Sequence, residues 1–320
     1  MIESLPLLAW PSHKQSLTIL VYHRVLREPD PLRQGEVVAD VFAEQMRFLS
    51  RNFVVLPLLE AARLLKQGRS PPRACCITFD DGYADNLTVA LPILKTYDLP
   101  ATVFVATGYL DGKCMFNDAV IDAVARSESS RLDLRELDLG SHRLETLSDR
   151  QAAVTSILRQ FRYRAPDIRE NDLSRLYDIA ACGPLPAGNM LSHDQVRELA
   201  SQGVEIGGHT VTHPILTSID DARAKQEILM GKRQLEQITG KQVKAFAYPN
   251  GGPGKDYALR HVAMAKEIGF EVAVTTARGV SDRNSDVFQL PRCALWGTSE
   301  VRWSMQVMKN AWIREAAAIC

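Results

Sequence analysis

Short apolar stretches alternate with amphipathic stretches through the N-terminal part of the chain. The stretches 17–23, 74–79 and 101–106 are rich in β-branched or bulky apolar residues, which predicts buried strands. Between the first two of them, 41–52 and 57–67 carry apolar residues at helical spacing. This alternation of strand and helix predicts an α/β fold in which helices cover a parallel sheet or barrel.

Polar residues mark the predicted starts of two further helices. Asp85 or Asn86 is placed to cap a helix that runs to about Tyr97. Ser192 and Gln195 have the spacing of a capping box, in which each side chain bonds the other residue's backbone N–H.

The pattern changes between about 111 and 189. The segments 115–126, 149–161 and 171–181 are predicted helices rich in Arg, Asp and Glu, and no convincing strand lies between them. We therefore expect a helical insertion on the barrel. Most of its charges are expected to face solvent, while a role as a lid or an oligomer contact is the alternative.

Composition narrows the classes of protein. A chain of 320 residues with 46% hydrophobic and 24% charged residues can bury a real core. Lys plus Arg and Asp plus Glu are equal at 38 each, so no net charge attracts the chain to nucleic acid or anionic lipid. A nucleic-acid partner is therefore not expected, and the sequence gives no indication of oligomeric state.

No targeting or membrane-spanning segment is recognisable. The first residues lack a basic stretch followed by a long apolar one, and no segment approaches about 18 consecutive apolar residues. Six cysteines form no Cys-x-x-Cys pair, which is typical of reduced thiols. We predict a cytoplasmic protein with an N-terminal extension at 1–16 and a barrel domain at 17–320.

Two adjacent carboxylates, Asp80 and Asp81, follow the strand 74–79. The carboxyl ends of parallel strands meet at one edge, where active sites of α/β proteins collect. Successive side chains of a strand point to opposite sides, so one aspartate can bind a metal while the other remains free as a base. The alternative is an ordinary turn, because Asp-Gly is a common turn dipeptide.

Two histidines follow the predicted strand 204–206. His209 and His213 have the i, i+4 spacing of many metal-ligand pairs. Pro214 disfavours helical conformation at His213, so we expect a tight loop rather than a helix. The alternative is a chance pair of exposed histidines.

A third segment, 243–247, is a predicted strand that breaks into the turn Pro249-Asn250-Gly251. Exposed backbone N–H groups at such a carboxyl end can face a developing oxyanion. Taken alone, the segment is better described as an ordinary turn.

These three segments, in this order, resemble the NodB-type polysaccharide deacetylases of carbohydrate esterase family 4. The segments 78–82 and 209–213 are similar to the first two family motifs, and 247–251 is similar to a variant of the third. The resemblance covers about 17–295, with 111–189 outside it. It implies a distorted (β/α)7 barrel and the removal of acetyl groups from an N-acetylated amino sugar or glycan.

The resemblance also implies the site residues. Asp80 matches the family's catalytic base, and Asp81, His209 and His213 match its metal triad. One carboxylate and two neutral imidazoles suit a hydrolytic zinc site with open positions, although cobalt, nickel or iron fits the same ligands.

The third motif supplies the expected oxyanion contacts. By resemblance, the metal and the backbone N–H of Asn250 would hold the tetrahedral oxyanion. Tyr248 and Pro249 of the same motif are expected to lie beside the substrate.

Two departures from the family pattern move catalytic roles to other residues. The third motif usually begins with arginine, where this chain has Ala247, and the last motif has Arg292 where the family has histidine. Arginine cannot act as the acid, because its pKa is above about 12. We predict that Arg292 holds Asp80 and that His23, at the end of the first strand, is the acid or electrostatic partner. A purely structural role for His23 is the alternative.

Two other functions remain open from sequence. The family's fourth motif is not recognisable, which leaves room for a hydrolase of small amides or cyclic imides on the same barrel. A non-catalytic carbohydrate-binding relative is the third possibility. It is disfavoured because such a protein would more naturally have lost the base or a metal ligand.

Overall fold

The computed structural model describes residues 15–183, 188–313 and 318–319. Most of the predicted extension at 1–16 lies outside these residues. The strands, in chain order, are β1 (Leu17–Tyr22), β2 (Val25–Leu26), β3 (Val37–Val38), β4 (Val54–Val55), β5 (Ala74–Phe79), β6 (Thr102–Val105), β7 (Arg131–Asp133), β8 (Ser141–Arg143), β9 (Glu205–Gly208), β10 (Ala245–Ala247) and β11 (Val272–Val274).

Helices surround these strands, and none in the described residues has the length and apolar character needed to cross a bilayer. The α-helices are α1 (Ala39–Asn52), α2 (Leu58–Lys66), α3 (Leu91–Thr96), α4 (Phe116–Arg126), α5 (Leu147–Phe161), α6 (Pro166–Ala180), α7 (His193–Ser201), α8 (Asp221–Thr239), α9 (Leu259–Glu267) and α10 (Glu300–Ala311).

The main sheet is parallel and curled, in the order β1-β5-β6-β9-β10-β11, with β4 also pairing with β5. The extended segment 290–293 bridges the two outer strands. Its Leu290 carbonyl accepts a hydrogen bond from Thr275 at 2.9 Å, and its Cys293 N–H donates to Ile19 at 2.9 Å. The predicted barrel of strands with outer helices is therefore confirmed.

Alternate strand residues serve two different cores. Phe104 and Ala247 belong to a small cluster inside the barrel, whereas their neighbours Val103 and Phe246 pack toward the outer helices. Gly207 makes room for the Phe104 ring, since a Cβ at this position would lie 2.3 Å from it. The interior is filled by side chains, so access to strand-end residues is from the carboxyl edge.

The insertion has a core of its own. The three predicted helices correspond to α4, α5 and α6, and their buried residues include Phe116, Ile157 and Phe161. The expectation of no strand is wrong, because β7 and β8 form an antiparallel hairpin. Its strands have three residues each and their side chains are largely exposed apart from Leu132, so periodicity gave almost no signal.

One predicted cap is confirmed and one is wrong. Ser192 and Gln195 form the predicted capping box at the start of α7. Asp85 caps no helix through its side chain. Its carboxylate instead accepts hydrogen bonds from Arg24 Nε at 2.8 Å and Val25 N at 3.2 Å, and a π-helical turn precedes α3.

Close packing of α8 on the loop that follows β9 gives a first prediction. A Cβ added to Gly231 would lie 2.8 Å from the carbonyl oxygen of Thr210. Gly231→Ala should therefore destabilise the protein, because overpacking costs about 1–3 kcal/mol and exceeds the roughly 1 kcal/mol that alanine adds to helix propensity. Urea denaturation measures the change.

The matched control is Arg233→Ala on the exposed side of the same helix, which should change stability little. A gain in stability from Gly231→Ala would contradict the packing argument.

Candidate active site

A strained turn positions the two carboxylates. Asp80 and Asp81 follow β5, and each is 3% exposed. Asp81 has a φ of 75°, in the left-handed region that few non-glycine residues adopt. Its carbonyl accepts a hydrogen bond from Ala106 at 3.1 Å, which anchors the turn to the end of β6. Backbone strain of this kind concentrates at functional sites.

Asp81 meets the two histidines. Its Oδ1 lies 3.5 Å from His209 Nε2 and 3.4 Å from His213 Nε2. All three side chains are buried, and their candidate ligand atoms lie within 4.8 Å of one another. The histidines lie in a tight loop, as predicted, with His213 at a φ of 50°.

Hydrogen bonding fixes the ring of His209. Its Nδ1 is 2.7 Å from the carbonyl oxygen of Ala247. Since a carbonyl only accepts, Nδ1 must carry the proton, and in the neutral ring Nε2 presents a lone pair to Asp81. The position where the family usually has arginine thus orients a metal-ligand candidate through its backbone.

The charges at this site fit a divalent cation. Burial lowers the pKa of His213 to about 3, so this ring is neutral. Asp81 Oδ1 is buried without a hydrogen-bond partner among the described residues. A carboxylate oxygen facing imidazole lone pairs needs a cation, and this ligand set suits a metal.

Two buried charged residues support the histidine loop. Glu227 of α8 accepts hydrogen bonds from the N–H groups of Val211 at 2.9 Å and Thr212 at 2.8 Å. Arg169 of α6 donates to the carbonyl oxygens of Thr212 at 2.6 Å and His213 at 3.4 Å. Since α6 belongs to the insertion, the insertion takes part in holding the site together.

Sequence reasoning missed both supporting residues. A signal existed, because each occupies a position on the buried face of its helix, Arg169 beside Leu173 and Glu227 beside Ile228. Charged residues on such a face are rarely fully buried unless they are paired. Pattern alone could mark them as unusual but could not identify their partners.

Arg292 forms a bidentate ion pair with Asp80. Its two terminal nitrogens lie 2.7 Å from the two carboxylate oxygens, and its Nε donates to the Thr275 carbonyl at 2.9 Å. Burial would raise the pKa of Asp80, but the charge and hydrogen bonds of Arg292, together with His209 and His23, outweigh that effect and lower the pKa. Asp80 is therefore an ionised carboxylate, held in one orientation.

Tyr248 of the third motif lies in the core, whereas Asn250 lies in the turn that follows. The Tyr248 ring is fully buried, stacks on Tyr257 at 4.0 Å, and its N–H donates to Val274 at 3.3 Å. Both groups contact protein, and the expectation that Tyr248 lies beside the substrate remains a prediction. Pro249 has no N–H. Among residues 248–250, Asn250, at a φ of 58°, is therefore the one whose backbone N–H remains as a candidate donor to an oxyanion.

His23 lines a cleft of about 340 Å³ together with Asp81 and Tyr83. Its imidazole is accessible from this cleft. Desolvation by the surrounding protein lowers its pKa, but the carboxylates of Asp81, Glu36 and Asp80 outweigh that effect, and the pKa is raised. His23 therefore lies beside the predicted metal ligands, where it faces the cleft.

Comparison with known proteins agrees with this geometry. A family model described as polysaccharide deacetylase matches residues 67–273. YxkH of Bacillus subtilis (strain 168), whose name places it among polysaccharide deacetylases, is 23% identical over 278 residues, covering 86% of this chain and 70% of its own length. A poly-beta-1,6-N-acetyl-D-glucosamine N-deacetylase of Staphylococcus epidermidis (strain ATCC 35984) is 24% identical, covering 61% of this chain and 72% of its own.

A solved structure shares the fold. The Streptococcus pyogenes deacetylase PplD, in complex with acetate, has a TM-score of 0.61 and 20% identity. The superposition covers 91% of this chain and 97% of that one. The likeness therefore extends over nearly the whole of both chains.

A second prediction concerns Arg169. Arg169→Met keeps much of the side-chain volume but removes both hydrogen bonds to the histidine loop. Zinc affinity should fall roughly 10–100-fold, as it does when outer partners of metal ligands are lost. Competition with a chelator measures this affinity.

Arg175→Met, in the same helix but paired only at the surface with Glu136, is the matched control and should leave zinc affinity unchanged. Equal affinity of wild type and Arg169→Met would show that the insertion does not support the site.

A third prediction concerns the buried ion pair. Arg292→Leu should cost roughly 3–5 kcal/mol of unfolding free energy, because it leaves Asp80 buried without its partner. The double variant with Asp80→Leu should recover much of that loss. Urea denaturation of the wild type, both single variants and the double variant measures the coupling, and strictly additive losses would contradict it.

Proposed function

The chain belongs to the polysaccharide deacetylase family, and on that premise we propose that it hydrolyses the N-acetyl amide of an amino sugar in a polysaccharide or glycan precursor. The observation that carries this proposal is the arrangement of Asp80. An ionised carboxylate, oriented by Arg292, lies next in the chain to Asp81 of the candidate metal triad. The relative named as an N-acetyl-D-glucosamine polymer deacetylase supports an N-acetylated glucosamine as the sugar.

The proposed metal ligands are Asp81, His209 and His213. A divalent ion bound there would polarise the acetyl carbonyl and activate water for attack. Zinc is the proposed metal on the basis of its histidine and carboxylate preference, and cobalt, nickel and iron fit the same ligands.

Asp80 is proposed as the general base. Its carboxylate accepts the proton of the attacking water as the new C–O bond forms. Arg292 keeps this carboxylate ionised and prevents it from rotating away. The backbone N–H of Asn250 is proposed to donate to the oxyanion that develops on the acetyl carbonyl.

His23 is proposed as the general acid. When the C–N bond breaks, the departing amine needs a proton, and the imidazolium of His23 supplies it from the cleft. The products are acetate and the free amino sugar. The position of His23 in the cleft, beside Asp81 of the candidate metal triad, supports this role.

A small amide or a cyclic imide is the second candidate substrate. It is favoured by Ala247 and by the missing fourth motif, which are departures from the family pattern. A non-catalytic sugar-binding role is disfavoured, because the candidate base and all three candidate metal ligands are present. The cytoplasmic location remains a prediction.

A fourth prediction tests the reaction. Zinc-loaded wild type should release acetate from a panel of N-acetylated sugars and oligosaccharides, and Asp80→Asn should lower the rate by at least about 100-fold through loss of the base. Metal content of both proteins is measured alongside. If the protein binds about one metal ion per chain but releases acetate from no glycan, the proposed substrate becomes a small amide.

A fifth prediction separates acid catalysis from structural roles of His23. His23→Ala should slow release from N-acetyl sugars by about 100-fold or more, because an amine leaves only after protonation. It should change hydrolysis of 4-nitrophenyl acetate little, since nitrophenolate leaves without a proton. Equal loss on both substrates would show that His23 acts through the structure of the site.

A further inference from the structure

The cleft beside the candidate metal site has a second wall that belongs to the insertion. His23, Asp81 and Tyr83 lie on its barrel side. The opposite side is formed by α4, α5 and the loop between β2 and β3, and its lining includes Leu32, Gln34, Asn117, Gln151, Leu158 and Arg162.

The loop and the insertion are joined where they line the cleft. Gln151 Nε2 of α5 donates to the Pro31 carbonyl at 2.8 Å. Arg33 of the loop forms an ion pair with Asp118 of α4, and Arg24 approaches the same carboxylate at 3.4 Å. These contacts tie the loop to the insertion beside the cleft.

The insertion wall is amphipathic. Leu32 and Leu158 are partly exposed and continue the insertion core to the surface, where Ile121 and Val154 adjoin them. Gln34 and Asn117 are neutral polar groups that both donate and accept hydrogen bonds, as sugar hydroxyls require.

The size of the cleft limits its occupant. Its volume of about 340 Å³ is at the lower end of the range of roughly 300–1,000 Å³ found for small-molecule sites. The lining of α5 extends from Gln151 to Arg162, which corresponds to about 16 Å at the α-helical rise. A cleft of this volume fits the end of a ligand better than the middle of a long polymer.

We propose that this cleft selects a short, amphipathic substrate, an N-acetylated amino sugar whose apolar aglycone lies along α5 against Leu158. The inference rests on the proposed function, because it places the acetyl group at Asp81 and Asp80. The neutral polar side chains bind the sugar hydroxyls, and the apolar strip buries the aglycone. The insertion, rather than the barrel, then sets specificity.

The test compares binding and turnover for the methyl and octyl β-glycosides of N-acetylglucosamine. Binding is measured by calorimetry on zinc-loaded Asp80→Asn, which should not consume the ligand. The octyl glycoside should bind at least tenfold more tightly than the methyl glycoside, because burial of methylene groups is favourable. Introducing Leu158→Asn should remove most of this difference and leave the methyl glycoside unchanged.

Arg159→Asn, on the exposed side of α5, is the matched control and should preserve the difference. In wild type, kcat/KM for acetate release should not rise from the disaccharide to the hexasaccharide of N-acetylglucosamine. A rise of tenfold or more with chain length, or equal binding of the two glycosides, would overturn the inference while acetate release still supports the proposed function. Octyl preference lost in Leu158→Asn, without acetate release from any glycoside, would support the cleft assignment and contradict the proposed function.

Discussion

The buried ion pair between Arg292 and Asp80 links the closure of the barrel to its chemistry. Arg292 belongs to the segment 290–293 that bridges the first and last strands, and Asp80 follows a central strand. An ionised carboxylate is costly inside a protein unless a cation and good hydrogen bonds accompany it. The contact that keeps the candidate base charged is therefore also a contact across the interior. A substitution that removes it would affect both the charge of Asp80 and the closure of the barrel.

The candidate metal site likewise depends on contacts from several parts of the fold. Asp81 comes from one strand end, while the loop of His209 and His213 is held from one side by Glu227 and from the other by Arg169. Because the insertion supplies Arg169, it is part of the scaffold of the site and not a peripheral addition. Its second contribution, the wall of the cleft, comes from a different face of the same three-helix unit.

Patterns within short segments of the sequence predicted the features that those segments form by themselves. The alternation of strand and helix, the two carboxylates at a strand end and the tight histidine loop all arise within short segments. The contact of Arg292 with Asp80 could also be predicted, because Ala247 leaves the family's orienting arginine missing and Arg292 occupies the last motif. The support from Arg169, the short polar hairpin and the burial of Tyr248 depend on tertiary packing, which periodicity does not report.

Ala247 carries a consequence for how such a protein can diverge. The family usually has a guanidinium at this position, whereas here the side chain is a buried methyl group and the guanidinium arrives from Arg292. A guanidinium from either position would neutralise the same buried carboxylate, whereas a protein with neither would leave Asp80 buried without a partner. The two positions therefore form an epistatic pair: replacement of Arg292 is tolerated only in a chain that already places another cation against Asp80.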